Sequence, residues 1–161
     1  MRILHGILAL GITLALGSSA WAQPPNAPFS IKLSTVKPEV KAGSDIYLRI
    51  QMTNTSNHDV DCTRVASNGS DRAYTYDVFD ANGNPLEKRT RKHPEIGETF
   101  SSWPCVLKPG ESTSEDDSLL SSLYDMTRPG KYSVQVSRYI SGDRKENGVT
   151  KSNMITITVN P

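Results

Sequence analysis

The chain has 161 residues, of which 18 are Lys or Arg and 17 are Asp or Glu, so its formal net charge is +1. A balance this close to neutral argues against a protein that follows the phosphates of a nucleic acid, because such proteins carry a basic surplus on one face. The length suits one domain with its own hydrophobic core rather than two.

The first 22 residues have the order of a secretory signal. Arg2 precedes an apolar run from Ile3 to Leu16, and the small residues Ala20 and Ala22 follow it. This order predicts a cleavable signal peptide over residues 1–22. The apolar run is shorter than the ~20 residues that a membrane-spanning helix needs, which argues against an anchor. A buried N-terminal helix is the alternative, and it is disfavoured because neither a helical stop signal nor a polar face accompanies the run.

A proline-rich stretch at residues 23–28 follows the predicted cleavage site and is expected to form an extended spacer. The folded domain is then expected over residues 29–160. Cleavage would remove Arg2 and no acidic residue, leaving the mature chain formally neutral. We expect the mature protein to be exported, periplasmic or extracellular, without a membrane span.

Apolar and polar residues alternate in the first half of the folded domain. The alternation from Phe29 to Leu33 and from Ile46 to Met52 predicts two half-buried strands. Residues 37–43 between them predict a turn. Asn54–Asn57 are expected to end the second strand, because their side chains bond their own backbone and favour turns.

A third strand is predicted from Tyr74 to Asp80, after a loop rich in Ser, Asn and Gly at residues 67–71. Residues 80–85 then predict a hairpin, since Asn-Gly tolerates the positive φ of a tight turn, and a return strand is expected near Leu86. Asp80 and its neighbouring asparagines also occupy alternate positions of a calcium loop. The distal Glu and the flanking helices of an EF-hand are missing from the sequence, which favours the plain hairpin.

The second half of the domain is less regular. No element is predicted over residues 93–104, and residues 118–125 predict a single helical turn that crosses between sheets. Period-two patterns return at residues 132–138 and 149–159. Seven or eight short strands separated by turns, with almost no helix, predict an all-β fold, an antiparallel immunoglobulin-like β-sandwich.

Two cysteines, Cys62 and Cys105, belong to the predicted mature chain. In an oxidising compartment an even count predicts one disulfide, which would stabilise the fold by about 4 kcal/mol in the chain-entropy model. Trp103 is expected to pack on it. A redox pair or metal site is the alternative, and it is disfavoured because the spacing is not C-x-x-C and His58 is the one histidine close in sequence.

Two charge clusters stand out, a basic run at residues 88–93 and an acidic run at residues 115–117. Both are interpreted as solvated strand or loop residues rather than binding patches, since consecutive strand residues point to opposite faces. His58 and His93 have polar or proline neighbours and are interpreted as exposed loop residues. No catalytic constellation, metal cage or cofactor motif is found, so the sequence predicts a protein that is not an enzyme.

The segment from Leu119 to Val134 resembles the region before strand F of bacterial immunoglobulin-like domains. A Pro129-Gly130 turn leads into a strand that begins near Tyr132. The resemblance implies that the Tyr132 hydroxyl bonds back to upstream backbone as a tyrosine corner. An ordinary core or half-exposed strand tyrosine is the alternative.

A second resemblance rests on the order of strand ends and turn residues along the chain. Thr53-Asn54, Tyr76-Asp77-Val78, Leu107-x-Pro109-Gly110-Glu111 and Pro129-Gly130-x-Tyr132 follow the order of the bacterial intracellular proteinase inhibitor family. This resemblance implies an immunoglobulin-like domain. No inhibitory residue is carried over from the family.

Three functions are compatible with these observations. The leading hypothesis is an exported, monomeric, non-enzymatic interaction module that uses loops near residues 67–72 and 92–104 to bind a protein or glycan of the cell envelope. A proteinase inhibitor that presents a disulfide-tethered loop to a protease is the second hypothesis. A carbohydrate-binding domain is the third.

Overall fold

Strands account for nearly all regular structure in the described part of this chain. A computed structural model describes residues 27–67, 70–71, 73–89, 100–117, 120–139 and 148–161. The predicted signal peptide and His93 lie outside these residues. The described residues contain thirteen strands and one helical turn: β1 Phe29–Thr35, β2 Glu39–Lys41, β3 Leu48–Asn54, β4 Val60–Asp61, β5 Arg64–Ser67, β6 Ser70–Asp71, β7 Thr75–Phe79, β8 Phe100–Trp103, β9 Val106–Leu107, β10 Ser112–Asp117, α1 Leu120–Leu123, β11 Gly130–Tyr139, β12 Val149–Lys151 and β13 Ile155–Asn160.

The first sheet has the strand order β1-β3-β10, with both pairs antiparallel. The register places Ile31 opposite Met52 and Leu33 opposite Ile50. These four side chains are at most 3% exposed, whereas the residues between them face outward. The alternation predicted from the sequence is confirmed here, because one face of this sheet packs on the core and the other is solvated.

The second sheet is built around β11, which pairs with β7 on one edge and with β12 and β13 on the other. Residues 149–159 were predicted as one strand, but the ladder breaks at Ser152. There the Ser152 amide donates to the Val136 carbonyl at 2.8 Å, and the Val136 amide donates to Ser152 Oγ at 3.1 Å. A side-chain oxygen replaces a backbone acceptor, so the strand kinks without losing the bond.

The fifth strand of this sheet, β2, was missed by the sequence analysis, which assigned residues 37–43 to a turn. It pairs in parallel with β13, and its central Val40 is 9% exposed. The Thr158 amide donates to the Pro38 carbonyl and the Ala42 amide to the Asn160 carbonyl, both at 2.8 Å. A strand of three residues contains one inward side chain, which is too short a pattern to recognise.

The two sheets enclose one hydrophobic core and form an immunoglobulin-like β-sandwich, as the sequence predicted. With β12 and β13 counted as one broken strand, seven sandwich strands lie in the described ranges. The pairs within these two sheets are antiparallel except for β2 with β13. Both inner faces contribute to the core, for example Leu48 from one sheet and Ile157 from the other, each at most 1% exposed.

The helical turn between the two sheets and the Pro129-Gly130 turn after it agree with the sequence analysis. The predicted helical turn is confirmed as α1, which buries Leu120 and Leu123. The Tyr132 hydroxyl donates to the Arg128 carbonyl at 2.8 Å, across the Pro129-Gly130 turn. This is the hydrogen bond of a tyrosine corner.

The hairpin at residues 80–85 is closed by its own side chains. The Asp80 carboxylate accepts the Asn82 amide at 2.8 Å and the Asn84 amide at 2.9 Å, and Gly83 has φ +82°. These bonds, led by those from Asn84, lower the pKa of Asp80. The Leu86 amide donates to the Val78 carbonyl at 2.8 Å, but the predicted return strand is replaced by two isolated bridges, Pro85 with Phe79 and Lys88 with Tyr124.

Candidate functional site: a disulfide-linked ribbon

An antiparallel ribbon projects from the sandwich and is formed by residues 60–67 and 100–107. Its base is the pair β4 with β9, and its outer part is the pair β5 with β8. The register is the same in both parts, from Val60 opposite Leu107 to Ser67 opposite Phe100. The sequence analysis left residues 93–104 without structure, which is wrong for the four residues of β8.

A third strand widens the outer part of the ribbon. β6 pairs with β5, with Ser67 opposite Ser70 and Ala66 opposite Asp71. The predicted loop at residues 67–71 therefore contains a hairpin, and its two connecting residues, Asn68 and Gly69, lie outside the described residues.

The disulfide joins Cys62 and Cys105 at directly opposite positions of the ribbon, with a Cα–Cα distance of 4.8 Å. This confirms the predicted bond, which is typical of exported proteins. The Cys62 amide donates to the Cys105 carbonyl at 2.9 Å. Pro104 has no amide hydrogen, and the Cys105 amide donates to Thr63 Oγ1 at 3.2 Å. The disulfide thus crosses the ribbon where its backbone ladder is interrupted.

An ion pair attaches the ribbon to the first sheet. Glu115 of β10 lies opposite the buried Ile50, so its side chain is on the core-facing side of the strand. Its carboxylate pairs with the Arg64 guanidinium of β5, and the Glu115 side chain is 12% exposed. A carboxylate this shielded requires a partner, because an unpaired buried charge is costly.

The second sheet contacts the ribbon through Arg138 of β11. The Arg138 guanidinium donates to the Thr63 carbonyl at 2.9 Å and lies 5.5 Å from the centre of the Tyr74 ring. Burial, together with the nearby Glu115 carboxylate, raises the pKa of Tyr74 to about 12, although Arg138 opposes the shift. The Tyr74 phenol is neutral at physiological pH and lies close to Glu115. Both sheets therefore contact the ribbon through one shared polar cluster, formed by Arg64, Tyr74, Glu115 and Arg138.

Trp103 lies opposite Arg64 in the outer ribbon. The Arg64 guanidinium is 5.8 Å from the centre of the indole ring, a cation–π arrangement. The ring that we expected against the disulfide thus lies beside Arg64 and is 52% exposed. Its exposure makes it available to a partner.

Exposed apolar side chains concentrate around the ribbon. Six large hydrophobic residues are exposed in the described part of the chain, and two of them, Val36 and Tyr47, lie elsewhere. The other four, which we call the ribbon patch, are Val65, Trp103, Val106 and Tyr139. A groove of about 200 Å³ runs between the ribbon and the end of the second sheet, with Val65 and Tyr139 at its sides.

The remaining candidate residues have structural partners. Asp116 accepts two hydrogen bonds from Arg49 on the outer face of the first sheet, at 2.7 and 2.9 Å. Its neighbour Glu115 points to the other face, as the alternation of a strand requires, so the interpretation of residues 115–117 as solvated is wrong for Glu115, whose side chain is 12% exposed. Within the basic run, Arg89 pairs with Asp125 at 3.0 Å.

His58 is exposed in the turn after β3, as expected. The described residues contain no group of three or more His, Cys, Asp or Glu side chains placed to hold a metal ion. None of the helical residues in these ranges forms a segment long and apolar enough to cross a membrane.

Sequence reasoning missed the polar cluster of Arg64, Tyr74, Glu115 and Arg138. One signal was present in β10, whose sequence Ser-Thr-Ser-Glu-Asp-Asp has polar residues on both faces. A sandwich strand without an apolar face needs another element to cover its inward side. The element that covers the inward side of β10 is set by strand pairing between residues distant in sequence. The ribbon therefore could not be predicted from local sequence patterns.

No protein-family model matches the sequence, and no curated protein resembles it significantly. A CARDB domain from Pyrococcus furiosus, solved in complex with di-metal ions, is similar at 12% identity and TM-score 0.41, over 82% of this chain and 87% of that one. A β-glucosidase from Listeria innocua in complex with glucose is similar at 14% identity and TM-score 0.43, over 83% of this chain and 16% of the enzyme.

An alkylpurine DNA glycosylase from Pseudomonas fluorescens, bound to DNA with an abasic site analog, is similar at 14% identity and TM-score 0.43. That similarity covers 84% of this chain and 31% of the glycosylase. At these identities and TM-scores the similarities carry no inference about function. The fold class rests on the strand pairing of the chain itself.

Proposed function

We propose that this protein is an exported, non-enzymatic interaction module that binds a protein of the cell envelope through the ribbon patch. The observation that carries the proposal is the concentration of four of the six exposed large hydrophobic residues on or beside one ribbon. The register places Val65 on one face of the outer ribbon and Trp103, opposite Arg64, on the other, so a partner would contact the ribbon from both sides. Exposed aromatic and apolar side chains are the usual anchors of protein interfaces.

The rigidity of the ribbon supports this proposal. The disulfide fixes its base, and the ion pair between Arg64 and Glu115 fixes its outer part. A binding surface ordered in advance loses less conformational entropy when its partner arrives. Trp103 supplies a large contact area with few rotatable bonds, so ordering it costs little.

The free edge of β8 offers a second kind of contact. In the described residues β8 is the last strand of the sheet β6-β5-β8. Edge strands present unpaired backbone groups to which an extended segment of a partner can add. Ser101 and Ser102 on this strand are exposed and carry no charge that would oppose such pairing.

Affinity capture from the native envelope tests the proposal. The full chain with a C-terminal tag is expressed in its own cells, crosslinked lightly and purified, and the proteins retained are identified by mass spectrometry. The patch variant combines Val65→Ser with Tyr139→Ser. The matched control combines Val36→Ser with Tyr47→Ser, which removes exposed hydrophobic side chains from other surfaces.

We expect the wild type and the control to retain one dominant protein and the patch variant to lose it. Equal retention by the patch variant, or no protein above background in the wild type, would contradict the proposal. A protease as the retained protein would favour the inhibitor function, for which a rigid segment beside a disulfide is suited. A glycan as the sole ligand would favour the carbohydrate-binding function, with Trp103 and Tyr139 as stacking residues.

A further inference from the structure

The position of the disulfide divides the ribbon into two parts that the sandwich holds differently. Below it, Val60 and Leu107 of the base are buried in the core, at 7% and 5% exposure. Above it, Arg64 contacts Glu115 and Thr63 contacts Arg138, and Val65 lines a groove with Ala73 and Tyr139. The outer ribbon is thus held by charged and hydrogen-bonded groups within two residues of Cys62.

These polar contacts depend on the exact placement of residues 63 and 64. The backbone ladder lacks one bond beside the disulfide, because the Cys105 amide donates to Thr63 Oγ1 instead of the Cys62 carbonyl, while the Cys62 amide still donates to the Cys105 carbonyl at 2.9 Å. The covalent bond adds to these two hydrogen bonds in fixing the spacing of the two strands there. Loss of that bond is expected to allow Arg64 to move away from Glu115.

The two cysteine residues differ in exposure. Cys62 is 2% exposed and belongs to the core, whereas Cys105 is partly buried and packs against it. A thiolate from solvent therefore reaches the bond from the Cys105 side, and exchange requires this access.

We propose that Cys62–Cys105 is a regulatory disulfide whose reduction by an external dithiol releases the outer ribbon from β10 and disperses the ribbon patch. One thiolate of the dithiol attacks Cys105 Sγ, and the Cys62 sulfur leaves and takes a proton. The second thiol of the dithiol then attacks the mixed disulfide, and the Cys105 sulfur leaves and takes a proton. The dithiol is oxidised to its disulfide, and the two cysteines gain two electrons and two protons. This inference rests on the proposed function, since it concerns the control of the same surface.

The sandwich itself is expected to survive this reduction. Among the described side chains of the ribbon, three belong to the buried hydrophobic core, Val60, Cys62 and Leu107. The other buried hydrophobic residues lie in the two sheets and their connections, so their packing does not require the outer ribbon. A local opening with a separate, lower free energy than global unfolding is the expected behaviour of such a segment.

Fluorescence of Trp103 reports the release directly. The chain contains two tryptophans, Trp21 and Trp103, so the full chain with Trp21→Phe has one emitter, in β8. The oxidised protein is compared with protein treated with dithiothreitol, and alkylation followed by mass spectrometry confirms that both thiols are free. Because Trp103 is already 52% exposed in the oxidised protein, we expect acrylamide quenching to rise by less than a doubling on reduction, while far-UV circular dichroism keeps its strand signal. A Cys62→Ser, Cys105→Ser double variant should reproduce the reduced state without reductant.

Two results would overturn the inference: unchanged Trp103 quenching with both thiols alkylated, or loss of the strand signal together with the change in quenching. The second result would identify an ordinary structural disulfide. Envelope capture separates this inference from the proposed function. If the oxidised protein and the double variant retain the same partner equally, the regulation is wrong and the interaction module stands. If the oxidised protein retains no partner, the proposed function fails, whatever the fluorescence shows.

Discussion

The sandwich and the ribbon are stabilised by different physical interactions. The sandwich buries apolar side chains from two sheets, and residues such as Met52 and Val134 have no exposed surface. The base of the ribbon buries Val60 and Leu107 in the same core, whereas its outer part is held by the disulfide, one shielded ion pair and a hydrogen bond from Arg138. Apolar burial is insensitive to pH and reductant, whereas thiol chemistry and ionised groups are not. The chain thus joins a robust scaffold to a surface whose attachment responds to solution chemistry.

The largest effect is expected from a cavity in the sandwich. Leu48→Ala removes a side chain that is 1% exposed, and such substitutions cost about 3–5 kcal/mol of the free energy of unfolding. Denaturant unfolding monitored by circular dichroism measures the loss. Val36→Ala is the control, since Val36 is 62% exposed and its loss should cost less than about 0.5 kcal/mol. Equal effects would contradict the position of the core.

A smaller effect is expected from the ion pair that holds the ribbon. Arg64→Met leaves the Glu115 carboxylate shielded and without its guanidinium, which should cost about 2–3 kcal/mol after allowance for the 37% exposure of the Arg64 side chain. The adjacent residue of β10 supplies a matched control, because Asp116 pairs with Arg49 and both side chains are more than half exposed. Arg49→Met should cost less than about 1 kcal/mol. Similar losses from both variants would show that Glu115 is not shielded.

The sequence predicted the sandwich much better than it predicted the ribbon. Alternation identified Phe29–Leu33 and Ile46–Met52 because a half-buried strand repeats every two residues. The short strand β2 and the four residues of β8 have no such repeat, and their pairing is set by contacts distant in sequence. The disulfide was predictable from a count of cysteines, but the Arg64–Glu115 ion pair that attaches the ribbon to β10 was not.

Ionisation of Tyr74 is expected to lower the free energy of unfolding at high pH by less than about 3 kcal/mol. Its pKa is raised from 10.0 to about 12 in the folded protein, chiefly by burial. The neutral phenol is favoured on folding, so this contribution is complete below pH 10 and is lost as the pH rises towards 12. Unfolding free energies measured between pH 9 and 12 should fall less steeply for Tyr74→Phe than for the wild type. Parallel profiles would contradict a buried Tyr74 beside Glu115, and Tyr47→Phe, at an exposed position, serves as the control.

The smallest effect is expected from the tyrosine corner. Tyr132→Phe removes the hydroxyl that donates to the Arg128 carbonyl and should cost about 1 kcal/mol of the free energy of unfolding. Chemical denaturation of the two proteins measures it. Tyr139→Phe is the comparison, since Tyr139 is 73% exposed at the end of β11 and its loss should be close to neutral. No difference between Tyr132→Phe and the wild type would mean that the corner bond contributes no net stability.

Native-state hydrogen exchange of the oxidised protein tests most directly whether the ribbon and the sandwich are held independently. Amide exchange is compared for the ribbon strands and for β11 in the wild type, Arg64→Met and Arg49→Met. We predict that the ribbon amides exchange through a local opening of lower free energy than β11, and that Arg64→Met lowers this free energy further while Arg49→Met does not. Ribbon and β11 amides that exchange with the same free energy in all three proteins would contradict the account, because the ribbon would then be an inseparable part of the sandwich.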